Sequence, residues 1–261
     1  MPSRRNFLKT SSSFAAGVFL TNSRKDFFRQ NKIPVYAHLW VYASRYPPDW
    51  DCTAILDNIF SDLKYAGIEG IEVMEILLRH DDAVSRFTDL IHKYDLPVAG
   101  TSYYGDMWNK NDHQKILDDM QLVTERLNKI GGTMIGLTVG DAKRVKTEEE
   151  LDAQAELLHK IFVICEKNKI EPNLHNHTFE VANDMHDLKG TLKRIPDAKL
   201  GPDLNWLIRA GVDPVSFIQP QRPGAFCLSM ILSGSCTKRC FAAVVKSNGK
   251  LRPPPRKTTD R

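Results

Sequence analysis

Apolar residues recur along this chain in two alternating rhythms. Short apolar runs begin near Ile33, Ile68, Leu96, Thr133, Ile170 and Lys199, at intervals of 28 to 37 residues. Between them, apolar positions fall three and four apart, the spacing of a helix that buries one face. The first such stretch, Asp51 to Ala66, carries Ile55, Ile59, Phe60 and Leu63, and Gly67 stops it. The second, Asp82 to Tyr94, carries Val84, Phe87, Leu90 and Ile91. The third, Asp112 to Ile130, carries Ile116, Leu117, Met120, Val123 and Leu127 and ends at Gly131-Gly132. The fourth opens with Thr147 and Glu150 at capping-box spacing and buries Leu151, Leu158, Ile161, Phe162 and Cys165. A shorter fifth spans about Asp184 to Arg194. A sixth starts at Asp213-Pro214, with proline at the first helical position.

Strands of a few residues alternating with longer helices predict βα units around a parallel sheet. The period suits an α/β fold of the (β/α)8 TIM-barrel type. A doubly wound sheet is the alternative, but no glycine-rich phosphate loop follows any of the strands. About six units are recognisable, and they are used up by Phe217. The barrel is therefore expected to be incomplete. Residues 220–261 differ in character: three of the five cysteines, a Pro253-Pro254-Pro255 run and no βα rhythm beyond Phe241–Val245. The abrupt change reads as a junction where an original frame or gene was lost; a natural basic tail is the plainer alternative. The expected organisation is a leader over 1–30, a partial barrel over 31–219 and a basic tail over 220–261. A six-strand sheet leaves two unpaired edges, which favours low solubility or a homo-oligomer.

The leader is Ser3-Arg4-Arg5-Asn6-Phe7-Leu8-Lys9 followed by the weakly apolar Thr10–Leu20. It matches the twin-arginine export pattern, an address rather than an anchor, and places the protein in the periplasm or outside the cell. No apolar run is long enough to span a bilayer, so no stable membrane anchor is expected. The net charge of +4 belongs to the tail: residues 220–261 hold nine Lys or Arg against one Asp, leaving a net −4 on residues 1–219. The folded part thus carries no nucleic-acid footprint. Five cysteines without paired spacing do not make a disulfide framework, and Cys165 lies in a core pattern.

In a barrel, chemistry gathers where strands end and loops converge. That criterion selects His38 and Trp40 after strand one, Glu72 and Glu75 after strand two, Tyr103, Tyr104 and Asp106 after strand three, and Thr138 and Asp141 after strand four. The densest cluster is Asn-Leu-His-Asn-His-Thr-Phe-Glu, Asn173–Glu180, followed by Asp203 and Trp206 in the segment Lys199–Trp206. Alternation along a strand puts His175 and His177 on one face. Two imidazoles with a nearby carboxylate suit a divalent ion such as Mn2+, Zn2+ or Co2+, with Asp203 as a further oxygen donor. The blander reading makes one histidine a structural hydrogen-bonder and Glu180 the start of a loop.

Three stretches resemble a known family: Gly67–Val73 (GIEGIEV), Leu174–Glu180 (LHNHTFE) and Asp203–Val215 (DLNWLIRAGVDPV). They look like the xylose isomerase-like TIM barrels, and more narrowly the sugar phosphate isomerase/epimerase group, which also includes inosose dehydratases and ketose 3-epimerases. The resemblance covers about Ile33–Ile218. It implies one divalent ion, commonly Mn2+, in the barrel mouth, held by Glu, Asp, His and Glu from strands five to eight. Asp203 matches the strand-six ligand, and His175 stands where glutamate is usual on strand five, leaving the choice between His175 and His177 open. The strand-seven and strand-eight ligands have no counterpart, because no histidine follows His186 and no glutamate follows Glu180.

The resemblance implies a sugar or keto-polyol as the small-molecule partner and metal-assisted proton transfer beside its carbonyl. Glu180 and Glu75 are the candidate bases, and His38, Trp40, Glu72, Tyr103 and Trp206 the candidate substrate contacts. A dehydratase acting on a keto-polyol and a non-catalytic carbohydrate-binding relic are the competing readings.

Overall fold

The apolar runs become six strands: β1 (Tyr36–His38), β2 (Gly70–Met74), β3 (Val98–Tyr104), β4 (Met134–Thr138), β5 (Glu171–His175) and β6 (Leu200–Gly201). All neighbours pair in parallel, in the order β1-β2-β3-β4-β5-β6. This is a half-barrel with helices on its outer side. The structure, a computed structural model, describes residues 34–218. The leader and the tail expected from the sequence lie outside the described residues, as does the whole of a second compact unit, Leu232–Arg261.

Nine helices connect and follow the described strands: α1 (Trp40–Ala43), α2 (Leu56–Tyr65), α3 (Glu75–Leu78), α4 (Ala83–Tyr94), α5 (His113–Lys129), α6 (Glu148–Lys167), α7 (Thr178–Arg194), α8 (Leu204–Arg209) and α9 (Pro214–Ile218). Their apolar stripes meet the outward face of the sheet. Ile59, Phe60, Phe87, Met120, Leu127, Leu158 and Ile161 are almost wholly buried against Ile71, Val73, Ile135 and Leu137. Such a layer, with parallel strands buried on the helix side, is what the near-continuous apolar runs dictate. The capping box of α6 forms as its sequence requires: the Glu150 amide donates to Thr147 Oγ1 at 3.3 Å and the Thr147 amide donates to Glu150 Oε2 at 2.8 Å. Arg144 clamps the same Glu150 carboxylate, holding it down at a pKa of about 2.

Two elements differ from expectation. The stretch Lys199–Trp206 is a two-residue strand followed at once by α8. Asp203 caps that helix, its Oδ1 accepting from the amides of Asn205 (2.8 Å) and Trp206 (3.4 Å). The aspartate's affinity for orphan helix amides ends the strand early. The fifth helix starts earlier, at Thr178, but breaks over 182–185. Asn183, Asp184 and Met185 are all left-handed, with φ of 50°, 55° and 60°. A bulky residue such as Met185 pays for that conformation in sterics, so packing must hold it.

Part of that packing is a buried polar knot. Lys146 Nζ lies 2.6 Å from Asp187 Oδ2, with the side chains only 2% and 7% exposed. Gln154 accepts from Lys146 Nζ at 2.7 Å and donates to Asp187 Oδ1 and Thr191 Oγ1. His186 Nε2 lies 2.9 Å from the Lys146 carbonyl oxygen. The left-handed turn swings Asp187 and His186 back onto the β4–α6 loop.

Candidate active site

The inner face of the sheet is read from Gly136. A Cβ added there would lie 3.6 Å from Glu72 Oε1 and 3.7 Å from the Cβ of His175. Glu72 on β2 and His175 on β5 therefore face a common space that only the missing side chain of β4 keeps open. His38, register partner of Glu72, comes within 4.0 Å of its carboxylate through Nε2. His38 Nδ1 accepts the backbone N–H of Trp40 at 3.0 Å.

The β5 end is dominated by aromatic rings. His175 and His177 meet edge to face with centroids 5.0 Å apart. His177 stacks on Phe179 at 5.5 Å and sits 5.2 Å from the indole of Trp206. Its Nδ1 is 3.5 Å from Thr138 Oγ1 on β4. Arg209 covers the Trp206 ring at 4.6 Å. Between the two histidines, Asn176 is buried and bonded twice to the Asp203 backbone. It accepts from the Asp203 amide at 3.0 Å and donates to the Asp203 carbonyl at 3.2 Å. This amide clamp fixes the His175–His177 turn to the end of β6.

Glu180 lies one turn into α7. Its Oε2 accepts the His177 amide at 2.7 Å, while its buried Oε1 has no hydrogen-bond partner. Burial drives the Glu180 carboxyl up to about 8, against the opposing pull of the His177 amide. Burial drives the imidazoles the other way. His175 falls to about 3, with His177 and His38 adding to the effect and a Gly201 backbone hydrogen bond opposing it, and His177 falls to about 4. At neutral pH the cluster therefore holds two uncharged imidazoles and a largely protonated carboxyl.

Glu75 and Tyr103 belong to another cluster. Tyr103 points to the helix side of β3, where its hydroxyl donates to Asp119 Oδ2 at 2.9 Å. Alternation along β3 puts it on the face opposite Ser102, so it does not share the inner space with His175. Arg79 grips Asp119 through Nε and Nη2, and Glu75 Oε1 lies 3.9 Å from the same guanidinium. Burial raises the Glu75 carboxyl, with Arg79 opposing. The structure thus brings His38, Glu72, His175, His177 and Trp206 to the inner side and mouth, buries Glu180 in the first turn of α7 behind His177, and leaves Glu75 and Tyr103 in a structural knot.

His175, His177 and Asp203 do not converge as a ligand set. The Asp203 carboxylate is turned into the first turn of α8, and Glu180 is turned to its own helix end. Among the described residues, no group of three or more His, Cys, Asp or Glu side chains is arranged to hold a metal ion. The described residues therefore do not fit the divalent ion that the resemblance implies. Gly136, Asn176 and the Lys146–Asp187 pair escaped sequence reasoning. Only Asn176 carried a signal, standing between two histidines at a strand end.

The model of the xylose isomerase-like TIM barrel family matches residues 60–225. The chain belongs to that family. No curated protein matches it. Among solved structures it is similar to a sugar phosphate isomerase/epimerase from Parabacteroides distasonis ATCC 8503, with TM-score 0.57 and 15% identity over 73% of this chain and 72% of that one. It is equally similar to the probable 3-DHS dehydratase AsbF from Bacillus anthracis, TM-score 0.57 and 15% identity over 73% and 70% of the two chains. D-Psicose 3-epimerase from Clostridium cellulolyticum H10 follows at TM-score 0.53 and 10% identity, over 70% and 66%. At these identities the likeness establishes the fold.

Proposed function

We propose that the protein handles a sugar or keto-polyol and moves a proton at a carbon beside its carbonyl, as an isomerase or epimerase does. The observation that carries this reading is Glu180: a buried carboxyl with one oxygen unpartnered and a pKa near 8, bonded to the backbone of His177. A group titrating close to neutral pH can both take and return a proton. In this reading the Glu180 carboxylate removes the carbon-bound proton, and its acid form returns it to another face or carbon. Neutral His175 and His177 hydrogen-bond the substrate oxygens, on which charge builds as the proton leaves. Glu72 and His38 receive hydroxyl groups on the β1–β2 side, and Trp206 lines the β6 side. No step is assigned to a metal, since the described residues offer no ligand set for one.

A dehydratase is the second reading. Glu180 in its neutral form could protonate a departing hydroxyl, and one similar structure is a probable dehydratase. Incubation with keto-sugars in heavy water separates the two. Deuterium uptake with the sugar otherwise intact supports the first reading, and loss of water from the sugar supports the second. Neither change with any ketose or inosose tested refutes both. The same account takes residues 1–30 as an export address, and cell fractionation finding the protein in the cytoplasm would refute that part.

A further inference from the structure

The backbone ladder between β5 and β6 is short. Its register pairs are Leu174 with Leu200 and His175 with Gly201, and the next residue of the chain after β6, Pro202, has no N–H to give. A side chain continues the ladder instead. Asn176 Oδ1 accepts the Asp203 N–H at 3.0 Å, and Asn176 Nδ2 donates to the Asp203 carbonyl at 3.2 Å. A carboxamide offers the same donor and acceptor as a peptide group, so Asn176 stands in for the missing backbone step. Only one orientation of its amide satisfies both partners. Asn176 is 3% exposed and Asp203 0%, so water does not compete for either bond.

The clamp closes a ring of contacts around His177. The Asp203 carboxylate caps α8, its Oδ1 accepting from the amides of Asn205 and Trp206. Trp206 sets its indole 5.2 Å from the His177 ring, and His177 follows Asn176 directly in the chain. On the other side of Asn176, the His175 ring meets the His177 ring at 5.0 Å. The Thr138 hydroxyl adds little, since it stands 3.5 Å from His177 Nδ1, at the outer limit of a hydrogen bond. Glu180 ties the His177 amide to its own helix, whereas Asn176 ties the turn between the two histidines to the neighbouring strand end. The placement of both rings against β6 and α8 therefore rests on the Asn176 amide.

We propose that Asn176 is a positioning residue of this site: its side-chain amide, acting as a surrogate strand residue, sets the placement of the His175 and His177 imidazoles relative to each other and to Trp206. Asn176 itself touches no substrate. The proposal rests on the proton-transfer reading for what the imidazoles do, and goes beyond it in assigning what aims them. Misplacing such a group by about 1 Å costs on the order of 100-fold in rate.

The test uses NMR of the full chain, with D-fructose in heavy water as the probe of chemistry. In the parent, the Asn176 carboxamide protons should exchange with solvent far more slowly than those of an exposed asparagine. Ring-to-ring contacts should be seen for His175 with His177 and for His177 with Trp206. Asn176→Ala should keep a cooperative melt and lose both ring contacts. Asn176→Asp keeps the shape and the acceptor oxygen but not the donor, and should fall between the parent and Asn176→Ala. Deuterium uptake into D-fructose should drop by about 100-fold in kcat in Asn176→Ala, with KM little changed. Free exchange of the parent carboxamide overturns the proposal, as do unchanged ring contacts in a folded variant. Lost ring contacts with undiminished uptake overturn it too. Loss of the fold in both variants also overturns it, because the amide then serves the whole fold rather than the site. No uptake by the parent leaves the ring contacts to decide the role of Asn176 and counts against the proton-transfer reading alone.

Discussion

The backbone N–H of His177 donates to Glu180 Oε2 at 2.7 Å, which locks an uncharged imidazole and a high-pKa carboxyl into one rigid turn. The bond serves folding and chemistry together. It satisfies an orphan amide at the start of α7 and leaves the second carboxyl oxygen facing no protein donor. Because both groups are neutral when buried, their titration must be visible in stability.

Glu180 rises from an ordinary 4.5 to about 8 on folding, so its contribution is complete below pH 4.5 and is lost as pH climbs through 8. His175 and His177 fall from 6.5 to about 3 and about 4, so their contribution is complete above pH 6.5 and is lost as pH drops. Between 4.5 and 6.5 the two histidines outweigh the one carboxyl, and above 6.5 the carboxyl acts alone. From these groups, stability should peak near pH 6.5 and decline by on the order of a few kcal/mol towards pH 8. Denaturant titrations across this range check it, and Glu180→Gln should flatten the limb above 6.5.

Tyr103 offers a test of where the site ends. Tyr103→Phe removes a hydrogen bond to the Asp119 carboxylate on the helix side. It should cost about 1.5–3 kcal/mol in stability and leave substrate turnover unchanged. A loss of turnover with unchanged stability would return Tyr103 to the inner face.

The half-barrel was legible because its signals are local and repeated. Apolar runs at regular intervals gave strand starts within three residues of those observed, from Tyr36 against Ile33 to Leu200 against Lys199. The capping box at Thr147 and Glu150 was equally plain. What escaped depends on tertiary context. Asn183 and Asp184 are residues that tolerate the left-handed region, but nothing local announces that Met185 follows them there. Asp203 read as a ligand because aspartate serves metals and helix caps alike, and only the position of α8 shows that its Oδ1 caps a helix. Tyr103 was selected by nearness to a strand end, while its alternation with Ser102 points it the other way.

The Lys146–Asp187 pair is almost wholly withdrawn from water, so removing one partner strands the other. Lys146→Met should destabilise by about 3–5 kcal/mol. The double variant Lys146→Met/Asp187→Leu should recover much of that loss. Thermal and denaturant melts of the three proteins measure it.

Gly136 separates folding from binding. A methyl group there would meet Glu72 and His175 at ordinary contact distance. Gly136→Ala should therefore fold as well as the parent, gaining about 0.5–1 kcal/mol from a less flexible unfolded chain. Gly136→Leu would fill the space between Glu72 and His175, and should abolish ligand binding while the melt remains cooperative. Calorimetric titration with a ketose checks the binding half.

The central claim is that Glu180 carries the proton. Its most direct test is deuterium incorporation from heavy water into a keto-sugar, followed by NMR, with the wild-type chain and Glu180→Gln side by side. The account predicts incorporation at a carbon next to the carbonyl by the wild type, and a rate lower by about 10²–10⁴-fold in Glu180→Gln with the fold intact. Equal rates in the two proteins would contradict it.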